Sequence, residues 1–161
     1  MIAGIVYALG QLGDPRAIAP IRKTMLEDMH DGSLTRERYR AVDGPYTYVS
    51  QIPFKLALAM LGEEEYLPVV RAYARDTVMG PSGGIAILME MGDSQIYDIL
   101  LEHLRSEESS YRLMAIRELV ELGDEKAVAA IKPLLKDDDE TVRGAAKWAI
   151  EQLGAERTKL P

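Results

Sequence analysis

Only two histidines, His30 and His103, and no cysteine are available to this chain for chemistry. The missing cysteines remove thiolate nucleophiles, disulfides and cysteine metal sites together. Neither histidine stands in a serine or carboxylate arrangement that makes a catalytic set, so no catalytic residue is assigned. Chemically capable side chains gather instead in "DGSLTRERYRAVDGPYTY", where Arg36, Arg38 and Arg40 share a short stretch with Tyr39, Tyr46 and Tyr48. Tyrosine and arginine dominate binding hot spots, and a guanidinium suits carboxylates or phosphates. The same stretch also reads as a surface excursion whose tyrosines pack back on the protein. A second segment, "MGPSGG" at residues 79–84, resembles a glycine-rich helix start with Ser82 as its cap. Free backbone N–H groups there can receive an anion, although no P-loop or dinucleotide fingerprint is present. Equally, Gly83 and Gly84 can make room for a neighbour's bulk, such as the Arg/Tyr stretch. The acidic runs "KDDDE" at 136–140 and "EEEY" at 63–66 fit helix starts, where carboxylates favour the dipole, and no metal site is expected of them.

What positions these residues is a repeat. The motifs "QLGD", "MLGE", "EMGD", "ELGD" and "QLGA" place glycines at 13, 62, 92, 123 and 154, with gaps of 49, 30, 31 and 31. The first gap exceeds the period by 18, and that excess is the Arg/Tyr stretch, residues 31–48. Each unit reads as two helices. First helices align Ile18, Leu67, Tyr97 and Val128, and three residues later Ile21, Val70, Leu100 and Ile131, as one inward stripe. Asp14, Asp93 and Asp124 suit helix starts, and Pro15 a first helical position. Second helices align Leu9, Leu58, Leu88, Leu119 and Ile150, then Leu12, Leu61, Met91, Leu122 and Leu153, and are expected to stop at the five glycines. Neither helix can bury its stripe alone, so pairs must stack on their neighbours. The expectation is an all-α single domain over 1–161: a half repeat 1–13, repeats 14–62 (with the insertion), 63–92, 93–123 and 124–154, and a tail 155–161.

Departures from the period carry the remaining clues. The middle second helices, "IPFKLALAML" and "GGIAILMEM", show almost no polar face. The column expected to face the inner surface reads Tyr7, Leu56, Ala86, Arg117 and Trp148, followed by Gly10, Ala59, Met89, Val120 and Glu151. This predicts a Leu/Met groove able to hold an amphipathic helix or a flat apolar ligand, unless the insertion folds across it. "MIAGIVYALGQLG" aligns with second helices, so the chain opens in mid-repeat with Ile5 and Val6 expected to lie open. Either a longer protein or a homo-oligomer contact through this helix would cover them. At the other end Lys147, Glu151, Gln152, Glu156 and Arg157 supply a polar cap.

A length of 161 residues suffices for one sizeable core, and a net charge of −7 with a pI near 4.9 argues against nucleic-acid or anionic-membrane partners. No apolar run approaches the roughly 20 residues that span a bilayer, and no basic leader opens the chain, so a cytoplasmic protein is expected.

"LGDPRAIAPIRKTM", "LGDEKAVAAIKPLLKDDDETVRGAAKWAIEQLG" and "SSYRLMAIRELVELG" resemble HEAT-like repeats of the phycobilisome-lyase type, in the L-G-D-x-x-A-(I/V) opening and in Tyr111-Arg112 and Val142-Arg143. The resemblance implies a right-handed α-α superhelix of about four helix pairs after an N-terminal half repeat. It covers almost the whole chain except residues 31–50. Deoxyhypusine hydroxylase, similar in fold, holds two irons on His-Glu pairs; here the single pair is Glu102-His103, reversed, so that activity is not expected. HEAT-like DNA glycosylases present a basic concave surface that a chain of this charge lacks in bulk. The leading expectation is a non-catalytic protein-binding scaffold without a cofactor, gripping its partner by the inner column and the insertion-bearing edge. The alternative is a bilin lyase-like or chaperone-like subunit handling a tetrapyrrole or another apolar ligand.

Overall fold

A computed structural model describes residues 2–31, 51–76 and 82–156. Arg36, Arg38, Tyr39, Arg40, Tyr46 and Tyr48 lie outside the described residues. The described chain is helical without a strand: α1 Ile2–Leu12, α2 Ile18–Asp31, α3 Ile52–Met60, α4 Leu67–Arg75, α5 Ser82–Glu90, α6 Ile96–His103, α7 Ser109–Leu122, α8 Ala127–Ile131 and α9 Glu140–Glu156. Short 3-10 segments lead into α2 and α4, and a longer one, Lys132–Lys136, continues α8.

The repeated L-G-D motif works as a stop followed by a start. Gly13, Gly62, Gly92 and Gly123 take left-handed φ values of +66°, +92°, +65° and +68°, a region that a Cβ disfavours. At Gly62 the turn closes with Gly62 N–H donating to the Ala59 carbonyl (2.9 Å) and Glu63 N–H to the Leu58 carbonyl (3.0 Å). This satisfies carbonyls that the helix end leaves free. One residue after the glycine, the carboxylates of Asp14, Asp93 and Asp124 each accept from the backbone N–H two residues on, all at 2.9 Å. Such caps typically contribute about 0.5–2 kcal/mol. Glu63 breaks the series. Its carboxylate accepts from Arg22 of α2, whose Nη2 also donates to Glu65 at 2.7 Å. The fifth glycine departs from expectation: α9 runs through Gly154 to Glu156, and Gly154 has no positive φ. There the helix propagates because Ala155 and Glu156 are good helix formers and no aspartate follows the glycine.

The chain divides into two compact units, Met1–Met91 and Gly92–Pro161. In the first, Val6, Ile21, Met25, Phe54, Ala57 and Leu58 form the core between α1, α2 and α3, while α4 and α5 pack on each other and on α3. In the second, α7 packs against both α6 and α9, and α8 with its 3-10 extension packs on α9. The inward stripe of the first helices is buried as expected: Ile21, Val70, Leu100 and Ile131 are at most 2% exposed. Leu58, Leu88 and Leu119 are fully buried. Val6 does not lie open; it is 4% exposed in the core of the first unit, whereas Ile5 (58%) and Leu12 (75%) are exposed. Successive side chains point about 100° apart on a helix, and Val6 falls on the side of α1 that packs with Ile21, Phe54 and Leu58 while Ile5 does not. Among the described residues no helix is long and apolar enough to cross a membrane.

Candidate binding face and the arginine staples behind it

In the second unit, the connection between first and second helix is closed by an arginine. Arg112, in the first turn of α7, is buried; its Nη1 donates to the carbonyls of Ser106 (2.9 Å) and Glu107 (2.8 Å), the loop left behind by α6. The rest of the guanidinium reaches the next repeat: Nε and Nη2 donate to the two oxygens of Asp137 at 2.9 and 2.7 Å, and Nη2 to Asp138 at 2.7 Å. A planar five-donor fork can satisfy two carbonyls and a bidentate carboxylate at once, which lysine cannot. One period later Arg143 repeats the first half of this pattern, its Nη1 donating to the carbonyls of Asp137 (2.8 Å) and Asp138 (3.1 Å). The two arginines are thus equivalent staples, 31 residues apart, on equivalent loop carbonyls.

This accounts for the acidic run at 136–140. Asp137 and Asp138 answer Arg112, and Asp139 caps α9 by accepting from Thr141 N–H (2.7 Å) and Val142 N–H (3.2 Å). The Arg112 guanidinium holds the Asp137 carboxyl below the usual carboxylate range, and the Val142 N–H does most to hold Asp139 below it. Beside the staple His103, which is buried, lies with its ring centroid 6.0 Å from that of Tyr111.

Held by these staples, α7 and α9 present Arg117 and Trp148. These occupy the same register one repeat apart, and both are exposed, Trp148 at 45%. Among the described residues Arg117 pairs with no carboxylate. Its neighbour Glu118 is partly buried, and that burial, followed by the charge of Glu121, pushes its carboxyl upward. At the next turn along, Val120 is half-buried and Glu151 exposed. Lys147 is exposed on α9 at the position where α7 buries Ile116, so α9 is polar on the face by which α7 meets its neighbour.

The expected apolar groove in the first unit is not open along its length. Leu56 is 7% exposed and Ala59 fully buried, because α3 is enclosed by α1, α2, α4 and α5. Its missing polar face reflects burial on nearly every side. In α5, Met89 is half-buried and Ala86 exposed. Ser82 is the first residue of α5. The glycine pair after it serves packing within its own repeat. A Cβ on Gly84 would stand 2.7 Å from the Ala74 nitrogen and 2.9 Å from its Cα, and one on Gly83 would stand 3.5 Å from the Tyr73 ring. The bulk these glycines admit is helix α4, so the insertion is not needed to explain them.

A family model for HEAT repeats matches residues 85–159, and a model for the PBS lyase HEAT-like repeat matches residues 3–26. The chain is a HEAT-like repeat protein of this type. HEAT repeats generally serve as protein-interaction scaffolds, and nothing in the family assigns a reaction to a position here. No curated protein matches the chain in sequence. Within the HEAT-like pattern, Arg112 and Arg143 were visible as recurring letters, but their function as staples was not. The signal that could have found it was the pairing of each arginine with a polar loop six residues upstream, at the same spacing in both repeats.

Proposed function

We propose that this HEAT-like repeat protein is a non-catalytic scaffold that binds a protein partner through the α7/α9 face and through the edge carrying residues 31–48. The supporting observation is the pair Arg117 and Trp148, both exposed at one register of two packed helices. Arginine and tryptophan combine a large apolar contact area with a directional charge, and both are enriched among the few residues that dominate the energy of protein interfaces. The insertion contributes the same residue types, Arg36, Arg38, Tyr39, Arg40, Tyr46 and Tyr48. A soluble, cytoplasmic setting fits the cysteine-free, acidic composition.

A photoreactive amino acid at position 148 should capture a discrete protein adduct in cells of the source organism. Arg117→Glu should abolish the adduct, and deletion of residues 31–48 should weaken it. Equal capture from an unrelated exposed position such as Asp98, or none from 148, rejects the reading.

A second reading, a lyase-like or chaperone-like subunit for a tetrapyrrole, draws on the PBS lyase-like match at residues 3–26. It ranks lower because Leu56 and Ala59, which would floor the ligand groove, are buried. An absorbance shift on mixing with free bilins would promote it above the scaffold, and an unchanged spectrum would remove it.

A further inference from the structure

The second unit carries a groove that the α7/α9 face does not use. It lies between α6 and the α8 segment with its 3-10 extension, with a volume of about 380 Å³, and is lined by Leu101, Leu104, Arg105, Ala129, Ala130, Pro133 and Leu134. Its origin is a local change of helix. Just after α6, Leu104 closes the inward stripe at 5% exposure; the equivalent residue one period on, Leu135, is 44% exposed. It falls in the 3-10 segment Lys132–Lys136. Three residues per turn instead of 3.6 rotate successive side chains away from the positions they hold in α6. Leu135 therefore leaves the stripe, and Leu134 turns to the groove wall.

The lining is aliphatic with one charge. None of the lining residues is acidic or aromatic, and Arg105 is exposed. Among the described residues its guanidinium has no carboxylate partner. Arg105 is the one charge of an otherwise aliphatic lining, which favours an apolar guest that carries an acidic group. The absence of an aromatic platform disfavours nucleobases, which bind single-stranded sites by stacking. The volume lies at the lower end of the range of about 300–1,000 Å³ for ligand sites, enough for a few aliphatic side chains.

We propose that this groove is a docking site for a short acidic segment of a protein partner, its aliphatic side chains seated on Leu101, Ala130 and Leu134 and its carboxylate paired with Arg105. This site is independent of the α7/α9 face.

The test is a random-peptide phage selection against the full chain, with enriched peptides remeasured by fluorescence anisotropy. The expected peptides carry Asp or Glu beside Leu, Ile or Val, and bind less tightly as salt is raised. Arg105→Glu should weaken them about tenfold, as reversal of one close charge pair does, and Ala129→Trp, which fills the mouth of the groove from an exposed position, should abolish them. Trp148→Ala should leave them unchanged, which separates this site from the face proposed above. Circular dichroism checks that both groove variants remain folded. Failure to enrich peptides, enrichment of peptides without acids, or binding that survives both folded groove variants overturns the proposal.

Discussion

The two units close their helix pairs by different means. In the second unit a buried arginine gathers the loop carbonyls and an acidic side chain of the following repeat. In the first unit backbone meets backbone. Gly10 of α1 lies against Ala57 of α3, where an added Cβ would stand 2.9 Å from the Ala57 Cα, and Gly84 of α5 lies equally close to Ala74 of α4. The sequence marks the difference: the repeat that carries Gly80-Pro81 and the glycine pair lacks an arginine at the staple position. Hydrogen bonds tolerate a wider spacing between helices, whereas a glycine contact demands a short one. A repeat family can therefore keep its period while changing how each pair is locked.

This contrast can be broken from either side. Arg112→Ala should have the largest effect, about 2–4 kcal/mol by chemical denaturation, since it removes a set of charge-assisted hydrogen bonds and leaves the buried Asp137 carboxylate without its guanidinium. Arg112→Lys should recover only part of the loss, because an ammonium cannot bridge two carbonyls and a bidentate carboxylate. Gly84→Ala should cost about 1–3 kcal/mol by overpacking α4 against α5. The neighbouring Gly83→Ala, whose Cβ meets only the Tyr73 ring at 3.5 Å, should cost far less. Equal losses at 83 and 84 would mean that close approach is not what locks this pair.

A finer comparison lies within the L-G motif itself. Gly123→Ala should destabilise by about 1 kcal/mol, because φ is +68° there. Gly154→Ala should stabilise by about 0.5 kcal/mol, because that glycine sits inside α9 with open space where its Cβ would be. Thermal melts of the two variants should therefore move in opposite directions.

The smallest expected effect is a pH dependence. Asp137 and Asp139 titrate below their unfolded values, near 3.9 for a free aspartate. On acidification the unfolded chain takes up their protons first. Their contribution is therefore fully present above about pH 5 and is lost as pH falls through the lower folded values. An acid titration of stability should show a shallower fall in Arg112→Ala than in the wild type, and parallel curves would deny the link between Arg112 and Asp137.

Much of this was legible in the letters. The period, the stop-and-start chemistry of Gly123-Asp124 and the inward stripe through Val70, Leu100 and Ile131 all follow from local rules, left-handed φ at glycine, short-range capping and helical periodicity. The candidate site was less so. Arg117 and Trp148 could be placed in one column from the repeat, and the structure leaves both exposed. Leu56 was placed in that same column and is buried, because exposure depends on how many helices surround a position, and α3 is surrounded where α9 is not.

By itself, then, the sequence determined an all-helical repeat of HEAT-like type, where most helices stop, and which residues face inward. Those properties depend on φ, ψ and periodicity, which neighbouring residues dictate. Only the tertiary structure decided that Arg112 serves Asp137, 25 residues away, that Gly84 admits α4, and that Leu135 leaves its stripe to open a groove beside Arg105. Each depends on the distance between segments remote in the chain, and a repeat pattern fixes their order but not their spacing.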